Sequence, residues 1–302
     1  SKWCRLSNMK IYDCTTFYSE KMMLDVRFNI LNDEVYKFIV VESSFSHSGK
    51  AKKFNFDIND YPKFKDKIIY IKINYEPDNL YDDKDIATNP IYKRFNSIKR
   101  IEQSYEYMLK GIIDAKDEDL IIISDNDEIP NLKSIQFKKN KKKFVIFKQL
   151  LFYYKFNYFY DLMPWYGSKA CKKKYLTSFS NLRNLKNKKY SIWRLDTHFS
   201  KIKQNNLQII DDGGWHFTNL KSPEELYIKL KNFGHHDEFD ETKITIRDLQ
   251  KKIDDGEVLY NHFADKSSKK KWEYNYKLKV INDSFLPNYL VKNRINFNEW
   301  FK

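Results

Sequence analysis

The sequence predicts an α/β fold with a central, mostly parallel sheet, and two observations carry this prediction. The first is the order of the segments, in which strands alternate with helical patterns as in parallel α/β sheets. The second is that several strand candidates are short, continuous apolar runs, which is typical of strands buried on both faces. The predicted elements are, in order, a strand ending near Asp13, a helix over 20–31 capped by Ser19, strands over 36–43 and 66–73, a helix over 90–113 with Gly111 near its end, and a strand in "DLIIIS" (119–124).

The second half continues the same domain. After Phe144 the sequence becomes dense in aromatic residues, which predicts further strands, some of them antiparallel. Helical patterns follow over 223–233 and 245–256, the second ended by Gly256. The chain has 302 residues, of which 41% are hydrophobic, so it can build a sizeable core, and wholesale disorder is excluded. We therefore expect a single domain with a C-terminal helical elaboration.

The net charge of +14 is concentrated in one block. Residues 138–190 contain 15 Lys and Arg but a single acidic residue, Asp161. A solvated surface is the simplest interpretation. Basic residues interleaved with aromatics also fit a protein that binds nucleic acid or another polyanion, and we keep that function as the alternative. A third interpretation is a rim that attracts a phosphate-bearing substrate.

Cysteine usage and hydropathy indicate the compartment. Cys4, Cys14 and Cys171 form no CxxC pair and are odd in number, which argues against a zinc site or a disulfide framework. No apolar run approaches the roughly 18 residues of a membrane span, and no signal segment is visible. We expect a cytoplasmic protein, in the host cytoplasm if it is viral. The adjacent His235 and His236 are interpreted as structural, because neighbouring side chains point in different directions.

Three carboxylates directly follow the apolar run of residues 120–123. Asp125, Asp127 and Glu128 would repel one another unless a cation or hydrogen-bond donors lie among them. A D-x-D pair at the end of a buried strand offers hard oxygen ligands for Mn²⁺ or Mg²⁺, and water and a diphosphate would complete the shell. Because ligands bind at the carboxyl ends of parallel strands, Glu42 at the end of an earlier strand could face the same crevice.

A second motif is "DDGGWHFTNL" (211–220). Gly213 and Gly214 permit a tight turn or a close approach of the backbone. Trp215 and His216 follow, and an imidazole can complete a metal shell, although an isolated histidine is more often a satisfied, partly buried residue.

Four separated segments, taken together in order and spacing, resemble glycosyltransferase family 17, which includes the enzyme that adds the bisecting GlcNAc to N-glycans, and in particular its microbial and viral members. These segments are "MMLDVRFNIL" (22–31), "FIVVESSFSHSGKAKKFNF" (38–56), "DLIIISDNDEIP" (119–130) and "GGWHF" (213–217).

The resemblance implies a GT-A-like nucleotide-sugar fold and inverting, metal-dependent transfer of a sugar to a hydroxyl of a glycan or glycoconjugate. The donor it favours is UDP-GlcNAc, with Mn²⁺ or Mg²⁺ as cofactor. The donor would be bound by residues of about 8–135, whereas about 136–302 would form the acceptor side. Nucleic acid is not an expected partner on this view, and the sequence leaves the oligomeric state open.

Residue roles follow from the resemblance by position. Asp127 would be the direct metal ligand, Asp125 would reach metal-bound water or ribose, and His216 would contact the metal or the diphosphate. The remaining residues expected at the donor are Glu42, Lys50, Arg27 and Trp215, with a buried ion pair as the alternative for Arg27.

Inverting transfer also needs a base for the acceptor hydroxyl, and Glu128 and Asp212 are the candidates. The chain departs from the family pattern in the helix before the D-x-D strand. There only Lys99 and Arg100 are clearly basic.

Overall fold

The computed structural model describes residues 9–188, 190–232, 239–240, 242–264 and 269–302. Cys4 and the pair His235 and His236 lie outside the described residues. The strands are β1 (Ile11–Thr16), β2 (Lys37–Ser43), β3 (Ile68–Ile73), β4 (Leu120–Ser124), β5 (Glu128–Pro130), β6 (Phe144–Tyr153), β7 (Tyr158–Lys172), β8 (Leu207–Ile210), β9 (Gly214–Thr218) and β10 (Lys279–Val280). The helices are α1 (Lys21–Leu31), α2 (Asp83–Thr88), α3 (Ile91–Tyr107), α4 (Ile135–Lys138), α5 (Phe179–Arg183), α6 (Leu195–Phe199), α7 (Pro223–Asn232), α8 (Ile246–Asp255) and α9 (Asn288–Lys292).

The described strands form one mixed sheet in the order β3-β2-β1-β4-β7-β6-β9-β5, with β8 beside β6 and β10 beside β7. Strands β1 to β4 are parallel to their neighbours within this group. Their carboxyl ends therefore meet at one edge of the sheet, here called the site edge. The predicted α/β class with a central, mostly parallel sheet is confirmed.

The second half of the sheet is attached to β4 through antiparallel pairing with β7. Strand β7 pairs in turn with β6, and β6 carries β8 and β9 in parallel. The short β5 leaves the site edge and pairs antiparallel with β9, where Glu128 lies opposite His216. This pairing brings the two chemistry-bearing motifs of the sequence together.

Three predicted boundaries differ from the structure. The first strand was expected to end near Asp13, but β1 continues to Thr16. The helix predicted over 90–113 is α-helical only to Tyr107 and continues as a 3₁₀ turn over Met108–Ile112. Gly111 is required there for contact, because a Cβ at this position would lie 2.5 Å from Cγ1 of Ile39 in β2. Ser19 does not cap α1. Glu20 occupies the N-cap position without a side-chain cap, and its carboxylate turns toward the loop before the helix.

The paired glycines before β9 allow a close approach of backbones. A Cβ at Gly213 would lie 2.4 Å from the backbone nitrogen of Lys148, and one at Gly214 would lie 2.2 Å from the carbonyl oxygen of Ile129. Gly214 also has φ of +111°, which L side chains rarely adopt.

In the described part of the chain, none of the helices combines the length and apolar character that crossing a bilayer requires.

Candidate functional site

The acidic cluster lies at the site edge, immediately after β4. All five residues of β4 are buried, so the strand fixes the following loop on a rigid element. The side chain of Asp125 is 46% exposed and that of Asp127 is 22% exposed, whereas Glu128 is fully buried. The three carboxylates therefore have different surroundings, and their roles must be considered separately.

Glu128 is held by donors on all sides. The guanidinium of Arg183 donates to both of its carboxylate oxygens at 2.9 Å, and the indole nitrogen of Trp165 donates at 2.8 Å. The backbone N–H of Asp125 donates to Oε2 at 3.1 Å. Burial opposes ionisation, but Arg183 outweighs it and lowers the pKa of Glu128. Glu128 thus stabilises the loop as a buried, fully bonded anion.

Arg183 also fixes the first carboxylate of the D-x-D pair. Its Nη2 lies 2.8 Å from Oδ2 of Asp125, and its own side chain is only 16% exposed. One guanidinium therefore contacts two of the three carboxylates with a single positive charge. Burial, together with Glu128 and Asp127, outweighs Arg183 and raises the pKa of Asp125 to about 6. Arg183, a residue from the basic block, thus offsets part of the repulsion that the sequence raised at Asp125 and Glu128.

Arg27 binds the backbone of the same loop from the protein interior. It is fully buried and makes a two-pronged ion pair with Asp13 of β1, with N–O distances of 2.8 and 2.6 Å. Its Nη1 also donates to the carbonyl oxygens of Asp125, at 3.3 Å, and of Glu128. The structure therefore contains the buried ion pair that the sequence left as the alternative for Arg27.

Asp127 faces His216 across the β5–β9 pair. The Nε2 atom of His216 lies 3.4 Å from Oδ1 of Asp127, and the imidazole lies against the ring of Trp165 with 4.5 Å between the ring centroids. Burial opposes ionisation of Asp127, but His216, Lys229 and Lys221 outweigh it and lower its pKa to about 2. Asp127 is therefore an anion at any physiological pH.

The Nδ1 atom of His216 bears on its protonation. This atom is buried and has no hydrogen-bond partner among the described residues. A proton on Nδ1 would be a buried, unsatisfied donor, which costs roughly 1–3 kcal/mol. A proton on Nε2 does not carry this cost, and it directs an N–H at Asp127. His216 is thereby suited to position Asp127 rather than to bind a metal through Nε2.

A first cavity of about 250 Å³ opens at the carboxyl ends of the parallel strands. Its walls come from β1, β2, α3 and the acidic loop. The residues that define it here are Thr16, Ser43, His47, Arg100, Tyr105 and Asp125. Arg100 of α3 is oriented by Glu76, at 2.7 Å, and by the carbonyl oxygen of His47, at 3.1 Å. The helix before the D-x-D strand thus presents a cation to this cavity.

A second cavity of about 460 Å³ lies on the other side of Asp127. It is bounded by the start of α1, by α7 and by the C-terminal segment, and its defining residues are Met22, Phe217, Lys221, Glu225, Lys229 and Trp300. Tyr18, Glu20, Asn126 and Asp127 line both cavities.

The place where the two cavities meet, lined by Tyr18, Glu20, Asn126 and Asp127, is here called the junction. Two lysines bring positive charge to it. The ammonium of Lys229 donates to Oδ1 of Asn219 at 2.8 Å, and neither Lys221 nor Lys229 has a carboxylate within 4.0 Å in the described part of the chain. Burial lowers the pKa of Lys229, while Asp127 acts in the opposite direction. Asp127 therefore lies where two cavities and two cations meet.

Glu20 is the other carboxylate at the junction. Its Oε2 accepts hydrogen bonds from the backbone N–H groups of Tyr18 and Ser19, at 3.1 and 3.0 Å, and from the side-chain amide of Asn126 at 2.8 Å. Burial opposes ionisation, but Lys221 and these backbone donors lower the pKa of Glu20. The group is thus ionised and fixed in position beside Asp127.

Glu42 and Lys50 lie near the first cavity without defining it. Glu42 is fully buried, and it accepts hydrogen bonds from Lys52 at 2.6 Å and from the Tyr70 hydroxyl at 2.6 Å. Since successive side chains of a strand point to opposite faces, Val41 and Ser43 face the cavity and Glu42 faces away. The Nζ atom of Lys50 donates to Asn232 at the end of α7.

Trp215 and Asp212 lie apart from the junction. The indole nitrogen of Trp215 donates to the carbonyl oxygen of Phe285 at 2.7 Å. Asp212 lies two residues before β9 begins, and it accepts a hydrogen bond from the side-chain amide of Asn131 at 3.0 Å. Neither residue lines either cavity, and Glu128 lines neither as well.

The donor set offers a divalent cation one direct protein ligand. No group of three or more His, Cys, Asp or Glu within the described ranges is arranged to hold a metal ion. Asp125 is engaged by Arg183, and the tautomer of His216 directs a proton at Asp127. Asp127 itself is partly exposed and ionised, so it fits a metal whose remaining ligands are water and phosphate oxygens.

Sequence reasoning missed several residues of this site. Glu20, Trp165, Arg183, Lys221 and Lys229 belong to no recognisable motif. Arg183 belongs to the basic block, for which the sequence offers a solvated surface, a polyanion-binding surface or a phosphate-attracting rim, but no internal ion pair. The signal that could have found it was electrostatic, since neighbouring carboxylates, one of them fully buried, require a nearby cation.

The first part of the chain matches a known protein family. The family model described as glycosyltransferase family 17 matches residues 2–187. No curated protein matches the chain. Among solved structures, the chain is similar to the inositol-1-phosphate CTP transferase from T. maritima, with 11% identity, a TM-score of 0.30, and coverage of 67% of this chain and 85% of that chain. A likeness at that level carries no argument. The family match ends before the "GGWHF" motif. The residues that Phe217, α7 and the C-terminal segment contribute to the second cavity therefore lie outside the match.

Proposed function

The chain belongs to glycosyltransferase family 17 and is therefore a glycosyltransferase. From that premise we propose that it transfers a sugar from a nucleotide-sugar donor, UDP-GlcNAc first among them, to a hydroxyl of a glycan acceptor. The transfer is inverting and metal-dependent, on a GT-A-like fold. The observation that carries this proposal is the position of the Asp127 carboxylate, which lines two cavities at once.

The first cavity is proposed for the nucleotide. It lies at the carboxyl ends of parallel strands, where nucleotides bind in open α/β sheets. Arg100 supplies a cation, and the partly exposed Asp125 is placed to reach the ribose or a metal-bound water. Arg27 and Glu42 act as positioning residues, because both are buried and hold the loops that form the cavity walls.

The diphosphate is proposed to lie at the junction, beside Asp127. A divalent cation held by Asp127 would offset the charge of the departing nucleoside diphosphate. Lys221 and Lys229 have no carboxylate partner in the described part of the chain, so they can bind phosphate oxygens directly. His216 keeps Asp127 in place through its Nε2–H.

The acceptor is proposed to enter the second cavity, on the far side of Asp127. Its floor includes Phe217 and Trp300, and aromatic faces suit the apolar face of a sugar ring. Glu20 lines both cavities and is ionised, so we propose it as the base that takes the proton of the acceptor hydroxyl. The geometry supports Glu20 over Glu128 and Asp212, because neither of those lines a cavity.

Calorimetric titration with UDP and UDP-GlcNAc, with Mn²⁺ and then with EDTA, tests the donor site. We expect binding in Mn²⁺ and its loss with EDTA and in Asp127→Asn. Asp33→Asn is the matched control, because Asp33 is an exposed carboxylate paired with Lys133 at 3.2 Å. Binding that is insensitive to both EDTA and Asp127→Asn would overturn the assignment of Asp127.

The base is tested separately with the same ligands. Glu20→Gln should retain donor binding and lose transfer to added acceptors by roughly 100-fold or more, the usual contribution of general base catalysis. Transfer lost in Asp212→Asn but retained in Glu20→Gln would return the role to Asp212.

A further inference from the structure

The segment between α5 and β8 forms a closed loop, here called the 186–203 loop. Its base is fixed where the backbone N–H of Lys186 donates to the carbonyl oxygen of Ile202 at 2.8 Å. The buried Lys169 of β7 anchors the preceding residues by donating to the carbonyl oxygen of Leu185 at 3.1 Å. Lys189 is outside the described residues. The loop is thus closed at its base by a backbone hydrogen bond. Nearly all of its residues lie beyond the family match.

The tip of this loop exposes large apolar side chains. The exposed fractions are 62% for Ile192, 85% for Trp193, 76% for Leu195 and 89% for Phe199. Four such residues within eight positions exceed the scattered single apolar residues that surfaces normally carry. A cluster of this kind marks a surface that another molecule covers.

The polar groups of the tip are satisfied within the tip itself. The backbone N–H of Thr197 donates to the carbonyl oxygen of Arg194 at 3.1 Å, and the N–H of Arg194 donates to that of Ser191 at 3.1 Å. Asp196 pairs with Arg194 at 2.7 Å and with Lys203 at 3.1 Å. The Asp196 carboxylate and these two backbone N–H groups would therefore keep their partners if the tip left water.

Positive charge surrounds the tip. Residues 186–203 contain six Lys and Arg and one acidic residue. The lysine-rich turn 138–143 contacts the chain three residues after the loop, because the N–H of Lys143 donates to Oδ1 of Asn206 at 2.8 Å. Within the described ranges, the lysines at 139, 141, 142 and 143 have no carboxylate within 4.0 Å. The tip thus carries exposed apolar side chains, and the turn that contacts the chain just after the loop carries unpaired cations.

We propose that the 186–203 loop and the lysine turn 138–143 bind the surface of an anionic lipid bilayer. Trp193 would lie at the level of the headgroups, where tryptophan is enriched, and Ile192, Leu195 and Phe199 would enter the acyl boundary. The lysines would bind phosphate groups of the lipids, each contributing to an attraction that salt weakens. Nucleic acid is the weaker occupant, because stacking on bases gives Ile192 and Leu195 no partner.

Docking at a bilayer has a consequence for the site. The loop begins three residues after Arg183, which holds Asp125 and Glu128 at the candidate active site. An enzyme held by this loop would be kept close to saccharides carried at the same membrane surface. The docking proposal itself does not depend on the donor or on the proposed base.

Co-sedimentation of the full chain with vesicles tests the proposal. Vesicles of phosphatidylcholine with phosphatidylserine should bind wild type at least tenfold more tightly than vesicles of phosphatidylcholine alone. The double variant Trp193→Ser/Phe199→Ser should lose about tenfold or more in affinity for the anionic vesicles. The matched control is Phe285→Ser/Ile295→Ser, which removes two apolar side chains that are 54% and 79% exposed elsewhere. It should bind as wild type does.

A second readout separates contact from loss of folding. The fluorescence of wild type should shift to shorter wavelength with anionic vesicles, and Trp193→Phe should abolish most of that shift while binding is retained. Equal binding by wild type and by the tip variant would overturn the proposal. Tighter binding of a single-stranded oligonucleotide than of anionic vesicles, unaffected by the tip variant, would overturn it in favour of nucleic acid.

Discussion

The two ends of strand β4 treat charge in opposite ways. At its carboxyl end, Asp125 and Glu128 are matched by Arg183 from inside the protein. At its amino end, Leu120 pairs with the end of β7, and the start of β6 lies alongside, so the lysine turn 138–143 projects from that edge. The lysines there have no carboxylate partner among the described residues. Charge that is neutralised internally builds a rigid site, whereas charge left unpaired is available to an external partner.

The largest effect is expected where internal neutralisation is broken. Arg183→Met would leave the buried Glu128 and the partly exposed Asp125 without their cation, and breaking a buried ion pair costs roughly 3–5 kcal/mol. Urea denaturation measures this loss in the free energy of unfolding. The double variant Arg183→Met/Glu128→Gln should recover part of it, because it removes one of the stranded charges. A neutral effect of Arg183→Met would show that the carboxylates are hydrated rather than paired.

A smaller effect concerns Lys169 of β7, which lies opposite Ile123 near the carboxyl end of β4. Burial, reinforced by Arg183, lowers the pKa of Lys169 from 10.5 to about 8. Between these values the unfolded chain holds the proton and the folded chain does not, so wild-type stability rises with pH over this window. Relative to Lys169→Met, wild type should gain about 2 kcal/mol between pH of about 7.5 and 9.5. Urea denaturation of both proteins at the two pH values checks the difference, and a constant difference would contradict a depressed pKa.

The smallest effect is expected at the junction of the cavities. Lys229→Met removes one of two cations near Asp127, and donor affinity should fall about tenfold, or about 1.4 kcal/mol. Calorimetric titration with UDP measures this change. Lys231→Met is the matched control on the same helix, since Lys231 pairs with Asp240 at 3.2 Å. Equal losses in the two variants would mean that α7 contributes only a general positive field.

The sequence predicted the fold well where one local pattern determined the structure. The apolar run of β4 and the strand ending at Ser43 are buried as their composition indicates. The site edge followed from the parallel order, because carboxyl ends of parallel strands must meet. Asp125 and Asp127 were found for the same reason, and their roles stay predictions until the binding experiments are made.

The rest of the site depends on contacts between distant segments. Arg183 reaches Glu128 across 55 residues, and Glu20 reaches Asn126 across 106. No local periodicity encodes such pairs. Glu42 illustrates the converse, since its position at a strand end suggested the crevice, while the alternation of the strand turned its side chain to the other face. The exposed tip of the 186–203 loop was hidden by the excess of lysines around it.

Arg27 has a consequence for how the protein acquires its site during folding. Its guanidinium joins α1 to a loop 101 residues further along the chain, and contacts of such long range form late because the intervening chain must first be brought together. Helix α1 and the first strands can assemble during synthesis. The acidic loop can reach its final conformation only after Arg183 has been synthesised, because Arg183 binds Asp125 and Glu128. Nucleotide binding should therefore serve as a sensitive reporter of complete folding in this chain, and it should recover after secondary structure in a refolding experiment.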